Sequence, residues 1–453
     1  MRAGPGPRWA LAGGTTGSAL VAVGALGVGA LPRARGGQLG WLGVDALRET
    51  APARAVATGL VVTGVLLLLA CWARLRPAGA RSQLCAAAWW ALPLLLAPPV
   101  FSRDVYAYAG QGALVWAGLD PYAVGPQAVP GPLADSVAPA YAGATSPYGP
   151  VFLGLAGRVV ALTGQQVVPA VLLLRLLAVA GLLLVAWALP RLAPADPGRA
   201  LWLGLANPLV LLHGVGGAHN EALMAGLLVA GLAVAGRGDR LACAAAVVTL
   251  GGLVKVPALA GLAVLAPPAA LAPVALAGAA TAAAATAATG LSPGWLRTSV
   301  QGVDAPSLLS PAYGLGRALQ AAGVPHGLAA ASTAGTLLGV AVAAGLLLSA
   351  GRLGPGRLGR LRALGGALVA VAALAPAVQP WYLLWGLFPL GAAAGPRTTR
   401  GLAAASAVLC LTLLPSGRPL LQGPTWGLPV LLAVAAAALA ARSGRIAGMT
   451  GEP

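Results

Sequence analysis

Apolar residues along this chain fall in long runs separated by short polar clusters. The runs lie near 10 to 31, 54 to 73, 84 to 100, 167 to 189, 200 to 216, 222 to 236 and 241 to 255. Others cover 256 to 290, read as a pair broken at Pro267 and Pro268, then 327 to 350, 363 to 379, 383 to 395, 402 to 415 and 427 to 441. About 20 apolar residues cross a bilayer as a helix, so the pattern predicts an all-α polytopic integral membrane protein of about 12 to 14 spans. Several runs are shorter than that and are expected to tilt strongly or re-enter. The stretch from Pro147 to Gly164 must not cross fully if the loops on either side are to keep their sides.

Of 453 residues, 58% are hydrophobic and 8% charged, against roughly 25% charged in a soluble domain. A soluble globule is excluded, because its surface needs far more polar side chains than a lipid-facing one. The formal charge of +18 would point to nucleic acid in a soluble protein, but here the cations sit in short clusters between apolar runs. Arg74, Arg76 and Arg81, Arg237 and Arg240, Arg352, Arg357, Arg360 and Arg362, Arg397 and Arg400, and Arg442 and Arg445 fall on alternating loops, which the positive-inside rule places in the cytoplasm. Asp45, Glu49, Asp104, Asp120, Asp135, Glu221 and Asp304 then lie at the outer face; Arg33, Arg35, Arg48 and Arg54 run against the scheme. The chain 1–453 reads as one multi-span membrane domain with two large extracytoplasmic loops, 101–149 and 291–326. The first run follows Arg2 and Arg8 and has the look of a signal peptide. Cys71, Cys85, Cys243 and Cys410 stand singly in or beside apolar runs and are expected to be small core residues. No internal repeat is found, and the string Gly354 to Gly359 matches a dinucleotide fingerprint in letters only, since it lies in an Arg-rich loop and not between strand and helix. Without a nucleotide-sugar domain, an activated cytosolic sugar nucleotide is an unsuitable substrate.

The chemistry-bearing residues concentrate in a few places. Ser102 to Gly112 carries Arg103, Asp104, Tyr106 and Tyr108; Gly118 to Tyr122 and Ser146 to Pro150 add Tyr122 and Tyr148. An acid just after a span is partly desolvated, which raises its pKa and suits a general base, while Arg103 opposes the rise; an interfacial ion pair at a helix end is the alternative. The tyrosines also fit an aromatic belt. Asn207, His213 and the run His219, Asn220, Glu221 place polar groups inside apolar sequence, which marks a site or pathway unless they pair structurally. Their spacing is not that of a metal site, and no metal ligand is assigned. Lys255, the sole lysine, and Arg175 are candidate phosphate ligands or snorkelling cations. Gln379, Trp381 and Tyr382 join two runs, where an amide before Pro380 suits a hydroxylated ligand.

Taken in order, Asp104-Val-Tyr, Gly118 to Tyr122, Pro147 to Pro150, Asn207-Pro, His219-Asn, Lys255-Val-Pro and Gln379 to Tyr382 resemble the polyprenyl-phosphomannose-dependent α-(1→6)-mannosyltransferases of actinobacterial envelopes, members of the GT-C membrane glycosyltransferases. The resemblance implies a GT-C-type bundle with its active site on the extracytoplasmic side of the cell membrane. It implies a polyprenyl-phosphate-mannose donor, a mannan or lipomannan acceptor, and an essential aspartate in the first outer loop, which Asp104 matches. A single inverting displacement needs one carboxylate to take the acceptor proton, and Lys255, Arg103 or Arg175 to stabilise the departing phosphate. Arg103, Tyr106, Tyr122, Tyr148, His219, Asn220, Glu221, Lys255, Gln379, Trp381 and Tyr382 are the expected substrate-binding set. No cofactor is expected beyond the lipid-linked donor, with a divalent metal left open, and nucleic acid is not an expected partner. Two alternatives stand beside this reading: another lipid-linked sugar such as arabinose or glucose, and a secondary transporter or lipid flippase using the His219 to Glu221 segment as its path.

Overall fold

A computed structural model describes residues 8–32, 46–76, 78–235, 240–265, 270–301, 309–354 and 356–418. The expected run near 427 to 441, the break at Pro267 and Pro268, and the loop residues Arg33, Arg35, Asp45, Arg237, Asp304, Arg442 and Arg445 lie outside the described residues. Among the described residues the chain is helical, without a strand. Its helices of eight or more residues are α1 (Arg8–Val28), α2 (Ala51–Leu75), α3 (Ala80–Leu96), α4 (Asp104–Trp116), α5 (Pro150–Leu162), α6 (Val167–Leu192), α7 (Pro197–Gly204) and α8 (Glu221–Val234). There follow α9 (Leu241–Gly252), α10 (Leu271–Thr289), α11 (Pro311–Ala321), α12 (Gly327–Leu348), α13 (Gly356–Leu374), α14 (Leu384–Ala393) and α15 (Pro396–Leu409).

Five of these, α1, α2, α6, α10 and α12, are long and apolar enough to cross a bilayer. The segment Pro208–Gly216 together with α8 makes a sixth if that pair, bent by 117°, counts as one broken span. The 12 to 14 spans expected from the apolar runs are not met by helices of that length among the described residues, and local chemistry accounts for the difference. The run near 200 to 216 is cut before Pro208, where Asn207 turns its side chain to the backbone: Oδ1 accepts from Leu209 N at 3.0 Å, and Nδ2 donates to Leu203 O at 2.9 Å and Ser406 Oγ at 2.8 Å. The run near 241 to 255 ends as a 12-residue helix, and the stretch from 147 to 164 becomes the 13-residue α5, too short to cross upright.

Where helices touch, small residues let the backbones close up. Helix α6 packs on α8, α8 on α9, α4 on α5, and α11 to α14 pack in succession. A Cβ added to Gly226 of α8 would stand 2.2 Å from the carbonyl oxygen of Gly181 in α6, so only glycine permits that contact. Trp72 and Trp202 lock α2 to α7: their rings stack at 4.5 Å, and each indole N–H donates to the other residue's carbonyl, at 2.9 and 2.8 Å. Arg175, buried in α6, donates to Leu95 O at 2.5 Å and Gly216 O at 3.2 Å, so its guanidinium joins the end of α3 to the bent span. Helices α10 and α12 expose Leu276, Leu337, Leu338 and Val340, ordinary for a surface facing lipid and a liability in water. Of the four cysteines expected in the core, Cys71 and Cys410 are buried, whereas Cys85 and Cys243 face outward from their helices.

Candidate active site

Five breaks in helical structure converge: the entries to α4 and α5, the bend before α8, the turn after α9, and the turn before α14. Phe101 and Ala218, neither of them glycine, stand in left-handed backbone at φ 63 and φ 55, just ahead of Asp104 and His219. Such strain persists only where surrounding contacts enforce it. Here Val100 N donates to Gly216 O at 3.3 Å and Phe101 N to Pro415 O at 2.9 Å. On the opposite side Gly149 N donates to Val254 O at 3.3 Å, and a Cβ at Gly149 would lie 2.2 Å from Leu253 O; this close approach seats Tyr148 beside Lys255. The residues Leu211–Gly216 form a wide π-helical turn, a local distortion common near functional sites.

Asp104 opens α4, and its backbone N–H donates to Ser102 Oγ at 3.1 Å. Its side chain is 21% exposed, so the carboxylate is reachable from outside the cluster. Inward lies His219, with Nδ1 3.6 Å from Asp104 Oδ2, 3.7 Å from Glu221 Oε2 and 3.5 Å from Tyr108 Oη. A ring protonated at Nδ1 serves one of these oxygens at a time. The other oxygen of Glu221 pairs directly with Lys255 Nζ. The Lys255 ammonium stands 4.6 Å from the ring of Tyr382, 5.4 Å from Trp385 and 5.6 Å from Tyr148, an aromatic box that stabilises a cation.

Desolvation pushes the Asp104 carboxyl up to about 6, and the negative charge of Glu221 adds to the rise. Lys255 and a hydrogen bond with Ser102 pull in the other direction without cancelling it. Burial works against the charge of Lys255, but Glu221 foremost, then Tyr382 and Asp104, outweigh it and hold the ammonium above its ordinary value. The pair therefore presents an acid poised near neutral pH beside a permanent cation.

The structure brings together Asp104, Tyr148, His219, Glu221, Lys255, Trp381 and Tyr382 of the expected set. Trp381 stacks on His219 with ring centroids 3.8 Å apart, and Gln379 stands just ahead of the turn that carries it, its backbone carbonyl accepting from Tyr382 N at 3.0 Å. Asn220, between His219 and Glu221, is buried, and neither its Oδ1 nor its Nδ2 has a protein partner. No hydrogen bond reaches His219 Nε2, Glu221 Oε2 or Trp385 Nε1 either, so donors and acceptors with unused capacity gather here. Three expected residues point elsewhere. Arg103 lies over the Tyr106 ring at 5.0 Å and donates to Ser136 O at 3.0 Å, while Tyr106 donates to Ala30 O at 2.7 Å. Tyr122 belongs to a second loop contact, where Asp120 accepts from Tyr122 N at 2.9 Å and Ser292 Oγ at 2.8 Å, and Arg297 donates to Tyr122 O at 3.4 Å. Tyr141 is an addition: the charge of Asp104 and the phenol of Tyr382 act on it from across the cluster. In sequence it is an isolated Tyr in a loop and carries no distinguishing signal. Among the described residues no group of three or more His, Cys, Asp or Glu is arranged to hold a metal ion.

Helices suited to a bilayer, with a half-sheltered acid and a boxed ammonium gathered at their breaks, define a membrane protein with a cluster of ionisable groups. The comparison with known proteins sharpens that class. The family described as "Alpha-(1->6)-mannopyranosyltransferase, N-terminal domain" matches residues 11–271, and the "MptB C-terminal domain" matches residues 306–444. A probable alpha-(1->6)-mannopyranosyltransferase of Mycolicibacterium smegmatis is 33% identical over 88% of this chain and 81% of its own length. An alpha-(1->6)-mannopyranosyltransferase of Mycobacterium tuberculosis is 32% identical over 84% and 77%, and alpha-(1->6)-mannopyranosyltransferase B of Corynebacterium glutamicum 29% identical over 92% and 78%. No solved structure matches. The chain belongs to the alpha-(1->6)-mannopyranosyltransferase family and is a glycosyltransferase that transfers mannosyl groups.

Proposed function

We propose that this enzyme transfers mannose from a polyprenyl-phosphate-mannose to the 6-hydroxyl of an α-mannan or lipomannan at the outer face of the cytoplasmic membrane, with inversion. Asp104 takes the proton of the acceptor hydroxyl as O6 forms its bond to the anomeric carbon. The bond from that carbon to the phosphate oxygen breaks, and polyprenyl phosphate departs as an anion beside Lys255. One carboxylate is enough, because a phosphate leaves without the proton that a glycosidase must deliver to an alkoxide. The donor needs no cofactor: it brings its own leaving group. Asn220, Tyr148, Trp381, Tyr382 and Gln379 line the route to the two charges and offer hydrogen bonds and ring faces to sugar hydroxyls.

The observation that carries this reading is the pairing of a reachable carboxylate, raised to about 6, with the boxed Lys255 ammonium in one cluster. The deciding assay offers isolated membranes polyprenyl-phosphate mannose or GDP-mannose under conditions where no carrier can be remade. Transfer from the lipid-linked donor alone is expected; transfer from GDP-mannose alone would overturn the donor assignment. Polyprenyl-phosphate arabinose and glucose in parallel decide the sugar.

A further inference from the structure

Glu221 is fully buried, whereas Lys255 and Asp104 keep 13% and 21% of their side chains exposed. A ligand therefore reaches the lysine and the aspartate before it reaches the glutamate. The glutamate is placed behind both: Oε1 pairs with Lys255 Nζ, and Oε2 lies 3.7 Å from the same His219 nitrogen that approaches Asp104 Oδ2 at 3.6 Å. We propose that Glu221 is a positioning residue that never touches substrate and instead sets the charge states of both reacting groups, keeping Lys255 an ammonium and Asp104 able to accept a proton. The inference rests on the roles given to Asp104 and Lys255 above.

The physics is that of a charge in a poorly solvated box. An ammonium among Tyr148, Tyr382 and Trp385 loses most of its water, and cation–π contacts replace only part of that hydration. A carboxylate at its back supplies the remainder and fixes the direction in which its other two N–H bonds point. The same negative charge, reaching Asp104 across His219, makes ionisation of that acid harder and so makes it a stronger base. The groups facing Glu221 are Lys255 from the turn after α9, Asp104 and Tyr108 from α4, Tyr148 from the entry to α5, His219 from its own turn with His213 behind it, and Tyr382 from the turn before α14. Removing the charge of Glu221 should move Asp104 and Lys255 in the same direction, to lower pKa. No loss of packing alone would do that.

The test is the pH profile of kcat/KM for the lipid donor, whose phosphodiester does not titrate in the range used, in membranes carrying wild type, Glu221→Gln or Glu221→Asp. The wild type should show an acid limb near pH 6 and no alkaline limb below pH 9. In Glu221→Gln the acid limb should fall by about one pH unit, the alkaline loss of rate should begin at lower pH than in wild type, and the plateau should drop tenfold or more. Glu221→Asp, which keeps the charge on a shorter arm, should hold the wild-type limbs more closely than Gln does. Should the Gln variant fail to accumulate, the Asp variant still decides, since a weakened pair moves both limbs down by a smaller amount. A lower plateau with both limbs unmoved in every variant that folds would overturn the role of Glu221. A wild-type profile without the acid limb would instead remove the base role of Asp104 on which the inference stands.

Discussion

The imidazole of His219 lies 3.8 Å from the indole of Trp381, centroid to centroid, with the two planes 24° apart. The stack covers one face of the ring and limits its rotation, so Nδ1 at the ring edge keeps its approach to Asp104 and Glu221. Trp381→Ala removes that wall. Loss of a buried Trp costs about 3–5 kcal/mol of stability, and the surviving enzyme should be at least tenfold slower. Trp381→Phe, which retains a ring face, should recover most of both losses; equal damage from Phe and Ala would show that the stack does not matter. Thermal unfolding and transfer rate in detergent-solubilised protein measure the two effects.

Asp104→Asn should abolish transfer while leaving the fold intact. A positioned base contributes about 10²–10⁴-fold, so turnover should fall by at least that range, with donor binding retained because Lys255 is untouched. The melting temperature should hold or rise, since an amide avoids both desolvation of a charge and repulsion from Glu221. Near-normal turnover would refute the assignment of the base.

The pH dependence has a definite sign. Asp104 acts only when ionised, and its pKa is raised to about 6, so kcat/KM should be constant above pH 7 and fall tenfold per unit well below 6. Stability runs the other way: a carboxyl whose folded pKa exceeds its unfolded value favours folding most in the protonated state. Its contribution is present below the unfolded value of 3.8 and is lost as pH rises through about 6. Rate and melting point measured over pH 4.5 to 8 on one preparation should therefore diverge.

Lys255→Met leaves Glu221 buried without its cation, and breaking a buried pair costs about 3–5 kcal/mol. The double variant Lys255→Met with Glu221→Gln should regain much of that stability, as replacing both charges often does, and regain no activity. A double variant no more stable than Lys255→Met would show that the pair contributes little to the fold.

Gly226→Ala should disrupt packing out of proportion to one methyl group, because the new Cβ would sit 2.2 Å from Gly181 O and force α6 and α8 apart. A loss of about 1–3 kcal/mol is the usual cost of overpacking. Activity should fall with it, since α8 carries Glu221 on its first turn. Melting temperature, set against Gly345→Ala, a position with open space, isolates the effect.

Membrane character and the contributing segments were legible because polar residues are costly in apolar sequence: His219, Glu221 and Lys255 stood out for that reason and are the residues that meet. What sequence could not show was direction. Arg103 adjoins Asp104 in the chain yet turns to Ser136 O, and Tyr106 turns to Ala30 O; both choices depend on loops that fold back from elsewhere. Arg175 is as apolar in context as Lys255, but it is consumed by two backbone carbonyls. Tyr141 and Trp385 gave no sign of membership, because an aromatic near a helix end is unremarkable in any bilayer protein. The apolar runs and the long helices of the described residues part where Asn207 ends a helix inside an apolar run, a local hydrogen-bond choice that hydropathy does not register.

The left-handed backbone at Phe101 and Ala218 has a consequence for how the enzyme tolerates change. Each residue works as a hinge pin set under tension, and each lies within three positions of the side chain it aims. Glycine at 218 would ease the chain and make the molecule sturdier, at the expense of the steadiness with which Asp104 and His219 face each other; at 101 the relief is outweighed by the loss of a buried phenyl ring.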